Sequence, residues 1–111
     1  MAMSQHYFHT ALQGEPITVL MGWDRPLSQF FLIVERQSPG PGQDDYIYVS
    51  DMDPAARAHT PSDYAIKLEQ LGITLPATML QQVTQDWLTF GANRIVTHDG
   101  CGGFDSVELP A

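Results

Sequence analysis

ITVLMGWDRPLSQFFLIVER, residues 17–36, reads as two strands and the turn between them. Ile17, Val19, Met21 and Trp23 alternate with Thr18, Leu20 and Gly22, and residues 30–34 (FFLIV) form an unbroken apolar run. β-Branched and aromatic side chains suit a pleated, half-buried surface, and Trp23-Asp24-Arg25-Pro26 supplies the break. The stretch predicts a central hairpin whose second strand, residues 27–36, is covered on both faces, because its apolar run does not alternate.

Upstream, residues 5–12 read as a first strand carrying apolar residues on both sides. Gln13-Gly14 is a two-residue hairpin turn, since Gly accepts the positive φ such turns need. Downstream, two prolines and two glycines make residues 38–45 a loop, and Tyr46, Ile47, Tyr48 and Val49 begin a fourth strand over residues 46–50. The pattern so far is an antiparallel meander. Residues 51–59 (DMDPAARAH) turn away from the sheet.

Two helices follow. Thr60 can cap the free amides of the first, Pro61 suits its first position, and Asp63 lies near the positive end of its dipole. Tyr64, Leu68 and Leu71 recur on one face of residues 61–71, and Gly72 is the stop, with Ile73 placed for a hydrophobic contact. Thr74-Leu75-Pro76 restarts a second helix over residues 75–90, with Pro76, Met79, Leu80, Val83, Trp87 and Phe90 as its apolar stripe and Gly91 as its end. Gln81, Gln82, Gln85 and Asp86 are assigned mostly to its wet side. Ile95 and Val96 suit a short fifth strand or a tether within residues 93–97, and residues 99–111 read as a C-terminal tail.

The expected architecture is therefore one α+β domain over residues 1–111. A four-stranded antiparallel β-meander, with room for a short fifth strand, precedes two helices packed on one face. A face of the central strand is left to be covered by the tail or by a second copy of the chain.

Composition excludes several function classes. Thirteen acidic residues against five basic ones give a net charge of −8, which repels phosphate backbones and anionic headgroups, so neither direct nucleic-acid binding nor membrane binding is expected. The single cysteine, Cys101, forms no intrachain disulfide. The first fourteen residues lack the basic start and apolar run of a signal peptide. A soluble, cytoplasmic protein is the expectation.

The sharpest cluster of chemical groups is His98-Asp99-Gly100-Cys101, an imidazole, a carboxylate and a thiol within four residues. It lacks the spacing of a ligand pair and lies in a glycine-rich segment, which reads as a polar loop with an incidental thiol. His6 and His9, three apart on a strand, point to opposite faces and cannot share a metal. Asp44, Asp45, Asp51 and Asp53 flank the fourth strand without the alternation and closing Glu of a calcium loop. PGPG has prolines where a phosphate cradle needs amides. No catalytic residue, metal or cofactor is assigned. Trp23, Arg25, Tyr46 and Tyr48 are the residue types that anchor interfaces, and they are the candidate interaction surface. The expected function is a non-enzymatic interaction or regulatory module with a protein partner, a homodimer first. The alternatives are a small acidic inhibitor that mimics nucleic acid against a basic partner, or a small enzyme with its site at a dimer interface.

Overall fold

The computed structural model describes residues 3–89 and 93–109. Six strands form one mixed sheet in the order β4-β3-β2-β1-β5-β6: β1 (Ser4–Leu12), β2 (Glu15–Asp24), β3 (Gln29–Arg36), β4 (Tyr46–Val49), β5 (Arg94–His98) and β6 (Phe104–Glu108). Every pairing is antiparallel except that of β1 with β5. The chain leaves β4 through two 3₁₀ turns, Ser50–Met52 and Pro54–Ala58, and then forms helices α1 (Pro61–Leu71) and α2 (Ala77–Thr89).

Local chemistry sets the ends of these elements. Gln13 and Gly14 both take positive φ, 51° and 80°, as the tight turn between β1 and β2 demands. Between β2 and β3, Ser28 N–H donates to the Arg25 carbonyl at 3.1 Å and Leu27 N–H to Asp24 Oδ1 at 3.2 Å. Thr60 and Asp63 cap α1 reciprocally. At its other end Gly72 adopts φ 94°, and Gly72 and Ile73 donate to the carbonyls of Glu69 and Leu68, which closes the helix with Ile73 buried. Phe90 and Gly91, expected to finish the second helix, lie outside the described residues.

The four-strand meander is present and two further strands extend the sheet. β5 is the short fifth strand, and it lies against β1 at the far side from β4. Parallel neighbours need a crossover, which α1 and α2 supply by packing on one face of the sheet. Within the tail expected over residues 99–111, Phe104–Glu108 form β6, paired with β5 from His98↔Phe104 to Arg94↔Glu108. It widens the sheet and covers neither face.

The core lies between the helices and one sheet face. Ile17, Val19 and Met21 from β2, Leu32 and Val34 from β3, and Tyr64, Leu68, Met79 and Val83 from the helices are all fully buried. Within a single chain only one face of β3 is packed against the helices. Leu32 and Val34 point at the helices, whereas Phe31 and Ile33 point to the opposite face and stay half-buried, because no element of the described residues packs over them.

Candidate functional site

Strand alternation turns Ser4, His6 and Phe8 of β1 toward the helices, and on β5 it turns Arg94, Val96 and His98 the same way. The parallel register sets His6 opposite Val96 and Phe8 opposite His98, so the two imidazoles become diagonal neighbours. From above, α2 presents Met79, Val83 and Asp86, at i, i+4 and i+7, to the sheet. Asp86 is therefore not on the wet side. It is buried, and its carboxylate is the centre of a polar network inside the core.

The distances define that network. His6 Nε2 lies 2.6 Å from Asp86 Oδ2, and His6 Nδ1 lies 2.9 Å from His98 Nε2. The second Asp86 oxygen accepts from Arg94 Nε at 3.1 Å and Nη2 at 2.8 Å, and Arg94 also donates to Gln82 Oε1 at 2.9 Å. His6 is 0% exposed, and Asp86 and His98 are each 3% exposed. A carboxylate only accepts, so His6 Nε2 carries a proton toward Asp86 and a single proton occupies the bridge between the rings. The rings are near-parallel, 23° apart with centroids 5.2 Å apart, and Phe104 of β6 flanks His98 at 5.4 Å. Nδ1 of His98 is buried with no hydrogen-bond partner among the described residues.

Burial alone would raise the Asp86 carboxyl, but hydrogen bonds from His6 and Arg94 outweigh it and hold Asp86 below the ordinary carboxylate value. For His98, burial and then the positive charges of Arg94 and of His6 in its protonated form push the imidazole down to about 4. The closed network can hold protons in fixed places, and no substrate atom can reach its imidazoles without an opening of the fold. Among the described residues, no group of three or more His, Cys, Asp and Glu side chains is placed to hold a metal ion.

The sequence cluster around His98 is split by the fold. His98 ends β5 facing inward, whereas Cys101 is exposed in the β5–β6 turn, where Asp99 Oδ1 accepts from the amides of Cys101 and Gly103 at 2.7 and 3.0 Å. His6 and His9 do face opposite ways, His9 being exposed beside Thr18. The partner for His6 is His98, which the sequence pattern assigns to a polar loop.

Comparison with family models, curated proteins and solved structures found no match. The reading of this chain thus rests on its own geometry.

The four residues assigned to an interaction surface are placed separately. Trp23 is buried under α2, against Phe30 at 4.8 Å and the part-exposed Trp87 at 6.3 Å between centroids. Arg25 is exposed in the β2–β3 turn. Tyr46, 50% exposed, and Tyr48 lie on the edge strand β4, beside the opposite end of β3. Tyr48 donates to Asp53 Oδ2 at 2.7 Å, with Lys67 Nζ 5.3 Å from its ring centre, so it is tied to the helix side.

The larger exposed feature is the second face of the sheet. Its rows follow from the register: Val49, Ile33, Leu20, Tyr7 and Thr97 lie side by side across five strands, and Phe31 neighbours Gly22 in the next row. Gly22 lets Phe31 lie flat on the sheet, since a Cβ there would sit 2.7 Å from the Phe31 ring and 1.9 Å from the Ser4 carbonyl oxygen. A groove of about 270 Å³ opens on this face, with Leu20, Phe31 and Ile33 as its floor and Met3, Leu27 and Asp24 among its walls. No helix among the described residues is long and apolar enough to cross a membrane.

Proposed function

We propose that this chain is a non-enzymatic protein-interaction module that works as a homodimer through the open face of its sheet. The observation that carries the reading is the half-buried apolar band of Leu20, Phe31 and Ile33 on a sheet whose two helices both pack on the other side. A contiguous apolar band in water is unusual for a protein that acts alone, and two such faces can pack as aligned sheets. The acidic residues of the face, Asp24, Glu35 and Asp105, then stay at the wet rim.

The alternative of an acidic mimic gains less support, because several carboxylates are engaged internally: Glu15 with Arg36, Asp53 with Tyr48, Asp63 with Thr60, and Asp86 with His6 and Arg94. Light scattering coupled to size exclusion tests the proposal. The expected result at micromolar concentration is the mass of two chains, falling to one chain in a Leu20→Glu/Ile33→Glu double variant. A wild-type mass of one chain that does not change on concentrating the sample overturns it.

A further inference from the structure

The His6–His98 pair sits where the outer hairpin joins the rest of the molecule. Among the described residues β6 pairs only with β5, and all five of its residues are exposed. β5 is held by its ladder with β1, by Arg94 on Asp86 and Gln82 of α2, and by His98 on His6. The turn adds a weak contact, Thr78 Oγ1 to the Gly102 carbonyl at 3.5 Å. Beside the fully buried Val96, the polar side-chain anchors of the hairpin thus pass mostly through one buried network.

We propose that this pair is a proton-operated latch: protonation of His98 releases the β5–β6 hairpin from β1 and α2 while the β2–β3 core stays folded. The count of proton positions gives the reason. Two neutral rings carry two protons, one on His6 Nε2 facing Asp86 and one in the bridge. A third proton has one vacant position, Nδ1 of His98, which is buried and has no acceptor. A fourth would place two protons in a bridge of 2.9 Å. The opened ring meets water and takes its proton without either difficulty.

The charged groups around His98 come from each neighbouring element: His6 of β1, Asp86 of α2, Arg94 of β5 itself, and Asp99 of the turn. β6 contributes Phe104, which carries no charge. Asp86 is already committed to His6 and Arg94, so it does not compensate a cation on His98. Release uncovers the outer edge of β1, whose backbone donors and acceptors then become available to another strand.

Residue-resolved hydrogen exchange at several urea concentrations, run at pH 7 and pH 5, tests the latch. Carboxylates remain largely ionised across this range. The hairpin amides should exchange through an opening whose urea dependence is clearly smaller than that of global unfolding, and its equilibrium constant should rise about 20-fold from pH 7 to pH 5, since closed His98 resists protonation down to about 4. The β2–β3 amides should keep higher protection and full urea dependence. A His98→Gln variant keeps an amide near the bridging position and removes the titration, so its hairpin should not respond to pH. Hairpin and core amides that share one free energy and one urea dependence overturn the proposal, because acid then acts on the whole fold. A response of the same size in His98→Gln also overturns it. If that variant does not fold, imidazole ¹⁵N shifts of the wild type serve instead: His98 should titrate with the midpoint of hairpin opening, and a separate midpoint overturns the latch.

Discussion

His6 and His98 lie 92 positions apart in the chain and meet in one 2.9 Å hydrogen bond inside the core. Their pairing links global stability to pH, and the sign follows from His98. Its folded value lies near 4, below the ordinary 6.5, so the unfolded chain binds the proton more tightly and stability falls as pH drops through this window. Between pH 7 and pH 5 the loss attributable to His98 should be about 2 kcal/mol. Urea denaturation of the wild type and of His98→Gln at both pH values gives it as a difference of differences. No difference would mean that His98 takes its proton equally well in the folded chain.

Asp86→Ala should be among the most damaging single changes. It removes the acceptor for His6 and for Arg94 in a site closed to water, and breaking a buried ion pair by deleting one partner costs about 3–5 kcal/mol. Chemical denaturation at pH 7 measures it. A cost within about 0.5 kcal/mol, the range of surface substitutions, would place the carboxylate in solvent.

Leu32→Ala tests the helix-facing side of β3. The side chain is fully buried among the core residues, and truncation there should cost about 2–5 kcal/mol with no change in the urea dependence of unfolding.

Gly22→Ala should destabilise by about 1–3 kcal/mol, in the manner of overpacking. The Phe31 ring could rotate away from a new methyl group, but the Ser4 carbonyl, 1.9 Å from its position, belongs to the backbone of β1 and cannot move without disturbing the end of the β1–β2 ladder. Exchange of the Met21 and Trp23 amides should rise locally in this variant. A neutral substitution would show that β1 and β2 are further apart at this point.

Much of the fold was legible because its signals are local. Thr60, Pro61 and Gly72 mark the ends of α1 within a residue, and the positive φ at Gln13 and Gly14 follows from the turn length. The sheet beyond the meander was not legible in the same way. β5 is specified by its pairing with β1, some ninety positions away, and β6 has no alternation of buried and exposed residues to announce it. The central hairpin is legible in its residues, but what lies over its second face is not, because a run such as FFLIV looks the same whether one face or two are covered within the chain.

The buried network was missed for a specific reason. Asp86 shares the face of Met79 and Val83 by spacing alone, yet a carboxylate was assigned to water by residue type, and Trp87, which is 40% exposed, took its place in the stripe. An acidic residue on an apolar stripe was the available signal. It implies buried partners, and His6 on an inward position of β1 was one of them.

The parallel pairing of β1 with β5 also bears on biosynthesis. β1 gains β2 as soon as the first hairpin emerges, but its other edge waits for residues 94–98, which follow the whole meander and both helices. At about 5–20 residues per second, translation of the stretch from β2 to β5 takes several seconds. For most of that interval His6 has neither Asp86 nor His98, and the edge that β5 will occupy is unpaired. That edge closes only once His98, the last inward-facing imidazole, has left the ribosome.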